Sequence, residues 1–178
     1  MSKSDEILDV AEGFARERGY NGFSFRDIAT KVGIKSASVH YHFPTKGDLG
    51  EALARRYADR FFSELGEPTA VASARRRFAR YVGTFRKALT VDKKMCLCGM
   101  LGAEVASLPP AVVAETDRFF TRNIDWLQAA FPGGAKRTRR RAIFILATLE
   151  GAMVIARTFH DAEAFDATTA ELASAVLD

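Results

Sequence analysis

The sequence has 178 residues, of which 48% are hydrophobic and 14 are Phe, so it can fill one large core or a small domain joined to a larger one. Its 26 Lys and Arg against 22 Asp and Glu leave a net charge of +4, a weak bias toward polyanionic partners and too little for a non-specific architectural DNA binder. The opening MSKSDEILDV is acidic where a signal peptide is basic and apolar, and no run of about 18 apolar residues occurs, so a soluble, cytoplasmic protein with no membrane partner is expected.

In chain order, Ser4 or Asp5 can cap a first helix, in which Ile7, Ala11 and Phe14 recur at helical spacing until Gly19 stops it. Residues 20–23 connect onward, and Phe23 and Phe25 pack a small three-helix unit. The stretch SFRDIATKVGIKSASVHYHFPTK at 24–46 then has the layout of two short helices joined by a tight turn. Ser24 can cap the first helix through its hydroxyl, and Asp27 can reach back to complete a capping box. Ile28 and Val32 share a face beside small Ala29, and Gly33 supplies the left-handed residue that ends the helix. Ile34 packs the turn and Val39 anchors the next helix from inside. Ser36, Ala37, Ser38, His40 and Tyr41 are left outward, small or polar residues suited to groove and phosphate. Phe43 precedes Pro44 and leaves helical geometry, and Thr45 can cap the next helix.

Residues 46–65 predict a long amphipathic helix with Leu49, Leu53, Tyr57, Phe61 and Leu65 every four residues, opposite Arg55, Arg56, Asp59 and Arg60. After a break containing Pro68, residues 71–90 place Phe78, Val82, Phe85 and Leu89 on one face, with Tyr81 close by. Residues 95–108 are apolar nearly all round in spite of Gly99 and Gly102, the pattern of a buried helix. A further helix runs over 110–131, Pro132, Gly133 and Gly134 break the chain, and the last two helices cover 138–159 and 165–177. No strand alternation, repeat or low-complexity segment occurs, and the fold class is all-α with about nine helices.

The basic runs at 75–77 and 136–141 read as solvated faces. His160 with Asp161, or Glu104 with a cysteine, offers a nominal acid–base or nucleophilic pair, but nothing orders either into a constellation. GMLGA lacks the strand that a phosphate-binding loop needs. Cys96 and Cys98 lack nearby histidines for a metal and point to different sides of a helix, which disfavours a disulfide between them. No catalysis, cofactor or metal is expected. The middle helices carry more aromatic side chains than a bundle needs. Tyr81, Phe85, Leu101, Phe119, Trp126 and Phe144, with Glu104, Asn123 and Thr148 as polar groups, are expected to line a mostly apolar ligand pocket.

From 19 to 53 the sequence F-x-x-R-D-I-A-x-x-V-G-I, then S-V-H-Y-H-F-P-T-K, then D-L resembles the N-terminal pattern of TetR-type transcriptional regulators. The rest is similar in length and in helix count and order. The resemblance implies a helix-turn-helix DNA-binding domain at 1–47 and a helical ligand-binding and dimerisation domain at 48–178. By the same resemblance Arg26 enters the groove, Ser36, Ala37 and His40 face base edges, and Ser38, Tyr41 and Lys46 hold phosphates. Lys35 and His40 depart from the residues common in the family, which moves the cap of the recognition helix to Ser36 and makes base reading at His40 individual. His42 can instead lie inward. A homodimer on a palindromic double-stranded operator is implied, with Leu149, Met153, Ala156, Phe159, Leu172 and Val176 at the interface of the last two helices. A small-molecule effector would shift the helix at 46–65 and release the DNA, making the protein a repressor. MCLCGMLGAE followed by SLPP resembles a branch of the family linked to short unsaturated acyl compounds and other electrophiles. Two readings of the thiols stay open: Cys98 beside the pocket, with Cys96, as a redox or electrophile sensor, or both as small packed side chains.

Overall fold

The computed structural model describes residues 2–177. Among these, nine α-helices and one short 3-10 turn carry the chain, with no strand: α1 Lys3–Arg18, α2 Phe25–Val32, α3 Ser36–His42, α4 Lys46–Leu65, α5 Ala74–Thr90, α6 Leu97–Ala103, the 3-10 turn Val105–Ser107, α7 Pro110–Ala130, α8 Ala135–Phe159 and α9 Ala162–Leu177. The chain divides into two compact units, one comprising the residues up to 59 with 96–119, the other 60–95 with 120 onward.

In the first unit α1 packs on α2 and α6, and α2 on α3. Ile7, Ala11, Ile28, Val39, Leu49, Leu53, Leu97 and Leu101 are buried there, which uses the apolar stripes of five helices. Helix starts are fixed by side-chain oxygens. Ser2, rather than Ser4 or Asp5, caps α1, with Asp5 as the third residue of a capping box. Ser24 and Asp27 form the same box on α2, and Thr45 and Asp48 exchange equivalent bonds at the start of α4. Helix α3 differs from expectation: Lys35 holds the cap position with no side-chain bond, and Ser36 is already its first helical residue.

An internal charge network crosses this unit. Glu12 and Arg16 pair at 3.3 Å in the interior, Arg16 lies over the Tyr57 ring, and Arg56 bonds Asp9 at 2.8 Å. The apolar segment at 95–108 forms only a seven-residue α6, ending in a turn that exposes Val105. Cys96 caps α6, its Sγ accepting from Gly99 N, and both cysteines are buried and not joined in a disulfide.

In the second unit α8 lies along α9, and α5 packs on both. Arg86 grips Asp166 of α9 through two bonds of 2.7 and 2.8 Å. Trp126 donates to the Gly66 carbonyl at 2.7 Å, which pins α7 to the turn after α4. The last two helices begin three residues earlier than their patterns suggest, at Ala135 and Ala162. Asp161 accounts for the second shift, since its carboxylate accepts from Glu163 N and starts α9. By length and composition α8 would also pass as a membrane span, with a mean hydropathy of 1.7 over an 18-residue window. Glu150 and Arg157 interrupt it, which hides the run in the sequence, and its inward face packs on α9.

Candidate nucleic-acid interface

The α2–α3 pair is built for presentation. Gly33, at φ +74 and ψ 36, turns the chain in left-handed geometry, and the amides of Gly33 and Ile34 both donate to the Ala29 carbonyl. Val39 is fully buried and fixes the rotation of α3. The opposite side therefore points outward: Lys35, Ala37, His40 and Tyr41 are exposed, Ser36 and Ser38 half-buried, and Arg26 on α2 is exposed beside them. Tyr41 is 84% exposed, the most open of the large apolar side chains, and it is braced edge-on by half-buried His42.

His40 has a defined orientation. Its ring stands edge-on to Phe25 with centroids 4.6 Å apart, and its Nδ1 faces the Pro44 carbonyl at 3.3 Å. A carbonyl only accepts, so Nδ1 is the donor in this contact and Nε2 is the ring nitrogen left for another partner. Lys46 departs from its expected place. Its Nζ donates to the Phe23 carbonyl at 2.5 Å and lies over the rings of Tyr20 and Phe23, and burial lowers its pKa against the opposing pull of Glu104 and Asp27. The ammonium is spent inside the unit, where the aromatic pair and the Phe23 carbonyl hold it.

A group that sequence reasoning placed elsewhere ties this surface down. The Glu104 carboxylate, expected in the ligand pocket, accepts from Tyr20 N at 2.8 Å and from both Asn21 N and Asn21 Nδ2. Tyr20 in turn donates to the Lys46 carbonyl at 2.8 Å. The end of α6 thus clamps the α1–α2 connection.

The family model for bacterial regulatory proteins of the tetR family matches residues 7–53. Over 62 residues the chain is 36% identical to the HTH-type transcriptional repressor KstR2 of Mycobacterium tuberculosis, covering 35% of this chain and 31% of that one. Over 47 residues it is 45% identical to IcaR, the negative transcriptional regulator of the biofilm operon icaADBC in Staphylococcus aureus, covering 26% of this chain and 25% of that one. These matches span a third or less of the curated relatives. A solved TetR transcriptional regulator from Legionella pneumophila is similar throughout, 31% identical over 99% of this chain and 98% of its own, with a TM-score of 0.90. The chain belongs to the TetR family. A second TetR structure, from Agrobacterium tumefaciens, is 32% identical over 98% of this chain and 97% of its own, again with a TM-score of 0.90.

The expected effector residues of this TetR chain are divided between its units. Cys98, Leu101, Glu104 and Phe119 fall in the first; Tyr81, Phe85, Asn123 and Trp126 fall in the second. In the second, Tyr81 O–H donates to Asn123 Oδ1 at 2.6 Å, and the Trp126 ring stacks on Tyr81 with centroids 5.3 Å apart. In the first, Phe119 packs on Tyr57, whose hydroxyl pKa is pushed well up by burial and then by the Cys96 thiol. Phe144 and Thr148 are one turn apart on α8. Phe144 is 51% exposed on α8, and Thr148 donates to the Phe144 carbonyl.

The expected dimer residues also differ in placement. Leu149, Met153, Ala156, Leu172 and Val176 are buried within the single chain, and of that set only Phe159 is exposed. The outward apolar row on α8 is instead Ile143, Phe144, Val154, Ile155 and Phe159. A helix that is apolar on two sides shows periodicity for both, and only the position of α9 decides which is inward.

Proposed function

We propose that this TetR-family protein is a cytoplasmic, ligand-responsive repressor that binds a palindromic operator as a homodimer. A small, mostly apolar or electrophilic molecule held by the helical part releases it. The carrying observation is the outward set Arg26, Lys35, Ala37, His40 and Tyr41 around a recognition helix whose inner side is locked by Val39. In this reading Arg26 is the bidentate partner of a guanine, a contact that discriminates by about 1–3 kcal/mol. With its ring neutral and Nδ1 donating to Pro44, His40 would offer Nε2 as an acceptor to the exocyclic amino groups of adenine and cytosine. Ser36 and Ala37 meet base edges and the Ser38 and Tyr41 hydroxyls hold phosphates, while Lys46 supports the fold from within. The names of KstR2 and IcaR as repressor and negative regulator support the direction of regulation.

The aromatic group around Asn123 supports an apolar effector with one polar anchor. The outward row on α8 supports a second copy of the chain as partner, and two recognition helices about 34 Å apart would meet successive major grooves. Ligand and DNA then weaken each other equally, because the coupling between the two sites is reciprocal. Both cysteines are buried, which supports packing over thiol chemistry.

Gel shifts test the DNA reading, using a palindrome from upstream of the protein's own coding region and a scrambled duplex of equal composition over a salt series. The palindrome is retained preferentially. Tyr41→Ala weakens both duplexes and flattens the salt slope, while Arg26→Ala and His40→Ala narrow the difference between them. Equal retention of both duplexes by the unaltered protein would contradict the reading.

A further inference from the structure

The basic run at 136–141 stands outside both the DNA-binding surface and the aromatic group. On α8 its members Arg137, Arg140 and Arg141 are spaced three and four apart, so they share a face, and Phe144 continues that face one turn on. The end of α9 comes alongside. Together Arg137, Arg140, Arg141 and Phe144 with Ala175, Val176 and Leu177 line a cavity of about 510 Å³, within the size range of small-molecule sites.

The two ends of this cavity have opposite chemistry. Arg141 is a fixed charge: its guanidinium lies over the Phe131 ring, with 5.1 Å to the centroid, and donates to the Val176 carbonyl. Arg137 and Arg140 are exposed, and no carboxylate of the described residues pairs with them. Burial, and then the neighbouring Arg137 charge, lowers the pKa of Arg141, so the cluster is held against its own repulsion. Phe144, Ala175, Val176 and Leu177 supply an apolar wall beside these cations.

We propose that this cavity binds an amphipathic anion, a carboxylate or phosphate monoester carrying a short hydrocarbon chain, with Arg137 and Arg140 on the head group and Phe144 and the end of α9 on the tail. A forked guanidinium suits either head group, and two of them with a third charge behind give the preference for an anion over a neutral chain. The apolar wall gives the preference for a tailed anion over a bare one. Phe144 belongs both to the expected effector residues and to the outward row on α8 that would meet a second copy, whereas Arg137, Arg140 and Arg141 belong to neither, and the site holds whether or not the aromatic group binds an effector.

The test is calorimetric titration of the full chain with octyl phosphate and octanoate, with octanol and inorganic phosphate as controls, repeated on Arg137→Gln/Arg140→Gln. Both substitutions are at exposed positions, and an unchanged thermal unfolding midpoint verifies the fold. One saturable site per chain is expected for octyl phosphate or octanoate, and whichever binds tighter names the head group. Octanol and inorganic phosphate should each bind at least about tenfold more weakly, as should the tailed anion to the double variant. Absence of saturable binding, affinity for octanol equal to that for the anions, or binding that survives the double substitution would each overturn the proposal. So would a double variant that changes the sedimentation of the protein but not its ligand affinity, which would make the arginines a contact between protein chains.

Discussion

Gly19 sits at φ +82 and ψ 170, a region essentially closed to other residues, and a Cβ there would collide with the Glu104 carboxylate that bonds the next two amides. Gly19→Ala is therefore expected to destabilise the protein by about 1–3 kcal/mol from the backbone alone. Part of the loss comes from crowding Glu104, so Gly19→Ala and Glu104→Ala should be non-additive in denaturant unfolding, and strictly additive losses would refute the clamp. Asp27 gives a pH prediction. Its pKa is held below the ordinary aspartate value by the Ser24 side-chain and backbone hydrogen bonds. The carboxylate thus supports the start of α2 at any pH above its unfolded value, and that support disappears as pH falls through the lower folded value. Ser24→Ala should raise the Asp27 midpoint in an NMR titration, and an unmoved midpoint would show the box to be unformed. Such local signals are what a sequence displays: Ser24, Asp27 and Gly33 are readable because their partners lie within five residues. Glu104 and Tyr20 are 84 positions apart, and no local pattern announces that pair.

Among the elements, α8 shows where the sequence stops being informative. It is apolar on two sides, and the side that the family resemblance made interfacial, Leu149, Met153 and Ala156, is buried within the single chain. The exposed side, with Val154 and Ile155 at its centre, is the one available to another chain. Ile155→Glu points into solvent in the single chain. Its helical circular dichroism should match that of the unaltered protein, while sedimentation changes from dimer to monomer and the thermal midpoint falls with the loss of the partner. A dimer that persists in this variant would place the contact on another element. The recognition helix shows a gentler limit. Its position was legible from Val39 and Pro44, but its start at Lys35 carries no side-chain cap, and the inward turn of Lys46 depends on packing against Tyr20 and Phe23.

For the molecule as a whole, the all-α architecture, the helix order and the DNA-binding segment were legible because each helix carries its own stripe and stop signal. The division into two units was not, since two of its three cuts pass through α4 and α7 and only the one before Cys96 falls in a loop. The expected effector residues are split by that division, and no composition argument assigns them to one side or the other. On the proposed function, two chains of this TetR-family protein act together on one palindromic duplex. Sedimentation equilibrium of the protein with that duplex, at a salt concentration where a scrambled duplex is not bound, tests it most directly. The expected result is a complex of two chains per palindrome that loses one chain's mass when half the palindrome is scrambled or Ile155→Glu is used. A single chain bound to the intact palindrome with full affinity would contradict it.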